Sequence, residues 1–182
     1  NPLTDSPMNP LLSTAPLPLF DQILPEHVAP AIETLLANAS QALETVTAPA
    51  FPSEWEAIAR ELDVATEKLG IAWGAVSHLK SVADTPELRA AYNAMLPAVT
   101  DFWTRLGADE RLFAKYKAID VQTLNTEQRQ AHKNAIRNFV YYAAVLFNTM
   151  FAILSTVTLI GIVFITRPQQ VMHNVQPEWW LP

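Results

Sequence analysis

The stretch "FVYYAAVLFNTMFAILSTVTLIGIVFITRP" occupies residues 139–168 and divides the chain. Between Arg137 and Arg167 there is no charged side chain; Val140 to Thr166 is a run of 27 uncharged residues. As a helix it rises roughly 40 Å, and a bilayer core of about 30 Å needs about 20 residues. The run therefore predicts one transmembrane helix over 139–167, long enough to tilt or to add an interfacial turn. The plainer alternative is a buried core helix, which would need a much larger protein around it. Pro168 is expected to end the helix.

Charge is distributed unevenly around that run. Residues 1–138 hold 11 Lys/Arg and 17 Asp/Glu, a net of −6, whereas 139–182 hold only Arg167 and Glu178. An acidic soluble part argues against nucleic acid as a partner, because that binding needs a basic face to displace counterions. No cysteine is present, which excludes disulfides, thiolate metal sites and cysteine nucleophiles. Arg129, Lys133 and Arg137 precede the span and Arg167 follows it. The positive-inside rule then places the N-terminal part in the cytoplasm of a bacterial inner membrane and the C-terminus in the periplasm. Tyr141 and Tyr142 suit one membrane interface, Trp179 and Trp180 the other.

Upstream, the pattern is helical throughout. Residues 1–25 are proline-rich, lack the basic segment and apolar core of a secretory signal, and read as an extended arm. Helix starts are expected near Pro25–Glu26, with Pro30 in the first turn, and at Thr85-Pro86-Glu87, a threonine cap followed by proline and an acid. Ser53 is a candidate cap between them. Val28, Ile32, Leu35, Leu36, Ala39 and Leu43 recur at helical spacing, as do Trp55, Ile58, Leu62, Ala65, Leu69 and Trp73. A helix kinked at Pro97 and shorter helices over 109–119 and 125–139 complete the set, and no strand alternation occurs. The fold class is all-α: an antiparallel helical bundle over 26–138, a single transmembrane helix, and a short interfacial tail over 168–182.

Three stretches are more specific than their periodicity: "LPEHVAPAIETLL" (24–36), "VSHLKSVADTPELRAAY" (76–92) and "QRQAHKNAIRNF" (128–139). They resemble the N-terminal helical region of the thimet-oligopeptidase-like zinc metallopeptidases, the family of bacterial oligopeptidase A. The resemblance runs from about Asn9 to Phe139 and covers about the first fifth of such an enzyme. It implies a helical scaffold truncated before the catalytic domain and fused to the span.

Enzymes of that family hold zinc with His-Glu-x-x-His on one helix, two imidazoles four apart and a glutamate base. The histidines here, His27, His78, His132 and His173, include no such pair. No catalytic residue, metal ligand or cofactor is expected. His27 reads as a helix-start residue and His78 as a packed structural histidine. The carboxylates Glu33, Glu44, Glu54, Glu56, Glu61 and Asp63 read as a solvated face, and Trp55, Trp73 and Trp103 as core anchors.

Within the span, Ala144, Asn148, Ala152 and Thr156 follow at intervals of four, with Ser155 beside them. Small residues on one ridge let another helix approach, and an amide in lipid seeks a partner; alternatively, the polar groups bond to their own helix. The expected partners are the bilayer and other transmembrane helices of a larger complex. By analogy, a photosynthetic light-harvesting–reaction-centre core or a respiratory complex is a fitting setting for such an accessory subunit. The competing reading is a membrane-tethered peptide-binding or regulatory module derived from an oligopeptidase.

Overall fold

A computed structural model describes residues 9–13 and 17–166. Among these residues the regular structure is helical, without strands. Six α-helices follow in order: α1 Pro25–Thr47, α2 Trp55–Ile58, α3 Val64–Val82, α4 Pro86–Ala108, α5 Glu110–Lys117 and α6 Thr126–Thr166. The chain divides into two compact units between Phe139 and Val140.

The helix ends follow local chemistry. Pro25 opens α1, and His27 Nδ1 accepts the Leu24 N–H at 3.1 Å, the place a Glu or Gln takes in a capping box. Thr85 caps α4, accepting the Leu88 N–H at 3.2 Å, with Pro86 at the first position. Asp109 caps α5 by accepting the N–H groups of Arg111 and Leu112. At α6, Asn125 and Gln128 each accept the other's backbone N–H, at 2.9 and 3.0 Å. Ser53 does not cap α2: that helix begins one residue later, with Glu54 at the cap position and no side-chain bond. Pro30 lies inside α1 rather than in its first turn, and α4 runs unbroken through Pro97.

α1 organises the first unit because its buried stripe serves two cores. Val28, Ile32, Leu35 and Ala39 pack with Leu69, Ala72, Ala75 and Val76 of α3 and with Leu88, Met95, Val99 and Phe102 of α4. Further along, Ala42, Leu43 and Val46 pack with Ile58 and Leu62, with Leu112 and Tyr116 of α5, and with Ile119 and Leu124. Between α2 and α3, Ala59–Asp63 form a π-helical turn. Such a turn adds about one residue and rotates the following helix by roughly 100°. Leu62 accordingly faces the second core and Leu69 the first. The six-residue stripe expected on one side is therefore split. Trp73 stands at the edge, stacked on Tyr92 at 4.6 Å.

The N-terminal segment is more than an extended arm. Residues Pro10–Leu12 and Phe20–Gln22 form single 3-10 turns, and Leu11 and Ile23 are buried in the first core. Asn9 holds it in place: its amide donates to the His27 carbonyl at 2.8 Å, and its Oδ1 accepts the Leu11 N–H.

Candidate functional site

Between Val140 and Val157 the helix exposes large apolar side chains. Phe147, Met150, Phe151, Ile153, Leu154 and Val157 are all exposed, each by more than half. Successive residues are about 100° apart, so these six positions share one broad face of roughly 160°. Among the described residues one helix is long and apolar enough to cross a membrane; the qualifying stretch is Thr126–Thr158, and its apolar window is not buried in the protein.

Ala144, Asn148, Ala152, Ser155 and Thr156 are exposed on this helix. Exposure does not set their face apart, since the apolar residues around them are equally open. The Thr156 hydroxyl donates to the Ala152 carbonyl at 2.8 Å, and Thr158 does the same to Leu154. These hydroxyls are satisfied by their own helix and need no partner, which leaves the amide of Asn148 as the group with most to gain from one. Tyr141 is exposed. The Tyr142 side chain, Trp179, Trp180 and Pro168 lie outside the described residues.

In the first unit, the described histidines hold structure together. His27 caps α1. His78 meets the ring of Phe20 edge-on at 5.5 Å. His132 Nε2 lies 2.8 Å from the Tyr116 carbonyl, its ring edge against Trp55. Among the described residues no group of three or more His, Asp and Glu converges as metal ligands would. His173 lies outside them.

The carboxylates expected to form one solvated face divide into distinct environments. Glu44 receives both Nη atoms of Arg111 at 2.8 Å, and the same guanidinium reaches Asp109. That fork ties α5 to α1. It holds the Glu44 carboxyl below its ordinary range, chiefly through the Arg111 hydrogen bond. Asp109 is also lowered: burial acts upward, but the Arg111 bond and two backbone N–H donors outweigh it. Asp63 behaves oppositely. Desolvation first, and the charge of Glu67 second, raise its carboxyl. It lines an open depression of about 460 Å³ with Thr66, Glu67, Gly70, Ile71 and Trp103. A second depression, about 450 Å³, lies among Ser53, Glu54, Trp55, Glu56, Ile119, Asp120, Thr123, Leu124 and Gln128. Sequence spacing could not place Asp63 beside Trp103, because that pairing depends on α3 packing against α4. The reciprocal Asn125–Gln128 cap, by contrast, was readable from its three-residue spacing.

These features define a class first: an all-α scaffold whose polar side chains cap, brace and pair its helices, followed by an apolar helix. The family model "Neurolysin/Thimet oligopeptidase, N-terminal domain" matches residues 32–148. Oligopeptidase A of Salmonella typhimurium is 41% identical over 135 residues, 72% of this chain and 20% of that protein. Oligopeptidase A of Haemophilus influenzae is 36% identical over 136 residues, again 72% and 20%. A probable cytosolic oligopeptidase A of Arabidopsis thaliana is 38% identical over 111 residues, 61% of this chain and 16% of that protein. The chain belongs to the N-terminal-domain family of neurolysin and thimet oligopeptidase. It spans about a fifth of the length of the curated bacterial relatives it matches, and the likeness is to their N-terminal region. The family match extends to residue 148, into the uncharged run, so likeness does not stop at Phe139 as the sequence reading expected.

Proposed function

We propose that this chain is a non-catalytic, oligopeptidase-derived helical bundle held in a bacterial inner membrane by its apolar helix, where it serves as an accessory subunit of a larger complex. The observation that carries this reading is the run of exposed large apolar side chains from Val140 to Val157, with no charge among them. In water each such side chain forgoes about 1.5–3 kcal/mol of burial, and a bilayer supplies that burial along the whole run. The bundle is cytoplasmic and the C-terminus periplasmic, in keeping with three cations before the run and Arg167 after it. An energy-transducing complex, photosynthetic or respiratory, is suggested by analogy alone.

The test is extraction followed by identification of companions. Membranes from the native host are washed with alkaline carbonate, solubilised in mild detergent and fractionated. The chain is expected to stay in the washed membrane and to migrate with other membrane subunits in fixed ratio. Recovery in the carbonate supernatant would overturn the anchor. Recovery of free tethered bundles that retain peptides would favour the peptide-module reading. Cleavage of short peptides by the purified chain, abolished by a chelator, would overturn the non-catalytic reading.

A further inference from the structure

We propose that Arg129, Lys133 and Arg137, at the start of α6, form a binding surface for anionic phospholipid headgroups. The inference rests on the membrane-anchor reading and names the lipid partner of that anchor. The three cations are spaced by four, so they share one face of the helix, and all three are exposed. Neighbouring Ala135, Ile136 and Phe139 lie on the adjacent face and pack against the second core, which leaves Lys133 and Arg137 turned away from it.

The charge around this face is unusual for the chain. The whole molecule carries a net of −6, yet residues 128–177 contain no Asp or Glu. Elsewhere in the bundle three arginines are matched by acids: Arg89 by Asp84, Arg105 by Asp101, Arg111 by Glu44 and Asp109. Arg129 instead donates to the Leu124 carbonyl. Among the described residues Lys133 and Arg137 have no carboxylate at ion-pair distance.

Position selects the partner. Arg137 stands three residues before Val140. Even fully extended, that is at most about 10 Å of chain, so a helix anchored by the uncharged run keeps Arg137 within reach of the headgroups. Surface recruitment by charge alone takes clusters of about four to eight cations. Three are too few to recruit a soluble protein. They suffice for an anchored one, which needs only to choose among lipids already at its side.

The full chain is reconstituted in phosphatidylcholine vesicles with traces of spin-labelled phosphatidylglycerol or spin-labelled phosphatidylcholine. The motionally restricted fraction of each label gives a preference ratio. At low salt phosphatidylglycerol should be favoured about fivefold or more, the effect of at least one surface cation. The ratio should fall towards one in about 1 M salt, and in the double variant Lys133→Gln, Arg137→Gln, whose exposed positions leave the helix content unchanged by circular dichroism. A ratio near one for the native chain, with the protein still resistant to carbonate, overturns the lipid site alone. A high ratio that survives the double substitution overturns it too, since another part of the chain then selects the lipid. Release of the chain by carbonate overturns both this inference and the anchor beneath it.

Discussion

Helix α1 and the 140–158 part of α6 are both rich in aliphatic side chains, yet the described ones meet different fates. In α1, Val28, Ile32 and Val46 are fully buried, at 0% exposure, while Glu33 and Glu44 on its other side face water. In α6, Phe147 and Phe151 are 64% exposed and no charged residue offsets them. The difference is what lies opposite the large apolar side chains. Charges there, as in α1, ask for water on one face and a protein neighbour on the other; the uncharged small and hydroxyl residues of α6 let an apolar solvent contact the whole helix.

The largest expected effect breaks the α1 side. Ile32→Ala should lower the unfolding free energy of the bundle by about 2–5 kcal/mol, since it opens a cavity against α3 and α4. Urea titration of the full chain in mild detergent, followed by helical circular dichroism, measures it. Ile153→Ala, by contrast, should leave the bundle transition where it is; an equal shift would mean that the two apolar sets share one core.

Next, Ile153→Asp should cost about 2.5–3.5 kcal/mol of insertion, roughly a hundredfold in the inserted fraction. Carbonate extraction reads this directly. If the aspartate variant remains as membrane-bound as the parent, the apolar surface is covered by protein rather than lipid.

A smaller effect separates docking from anchoring. Ala152→Leu should reduce recovery within a larger complex while leaving insertion intact, because leucine favours the bilayer but keeps helix backbones apart. Asn148→Leu should do less, since interhelical polar contacts in membranes average about 0.6 kcal/mol. The reference is Met150→Leu, roughly 200° around the helix from Asn148. Equal recovery for all three would reduce the helix to a tether.

The smallest effect is a pH dependence confined to the bundle. Glu44 and Asp109 titrate below their ordinary values in the folded state. Their contribution is present above the unfolded carboxylate values and lost as pH falls through the lowered ones. Arg111→Ala should therefore lower the melting temperature at neutral pH, and the gap should close in acid. Melting curves of both proteins at several pH values test it; a gap that persists in acid would make Arg111 a packing residue only. Residues 140–166 carry no titratable carboxylate and should show no matching dependence.

Much of this was legible without coordinates. Thr85-Pro86-Glu87 marks a helix start because capping and proline chemistry act within a few residues, and the structure places the cap there. His78, which the resemblance suggested is packed, is exposed and meets the edge of Phe20. The misses have a common physical cause. Ser53 has the right chemistry for a cap, but a cap also depends on where the chain enters the helix, and here it enters at Trp55. The stripe from Trp55 to Trp73 assumed constant winding, which the π turn at Ala59–Asp63 interrupts. Asn9, Leu11 and Ile23 looked like parts of a loose arm because proline density reports backbone propensity and carries no information about docking.

By itself the sequence determined the all-α class, the helix starts, the family likeness and the lone uncharged run, because each rests on spacing or on chemistry between near neighbours. Only the tertiary structure decided which core each half of α1 serves, that Arg111 braces α5 to Glu44, and that Asp63 and Trp103 line one depression. Those pairings join residues tens of positions apart, and nothing short of the packed chain brings them within the few ångströms over which hydrogen bonds and dispersion act.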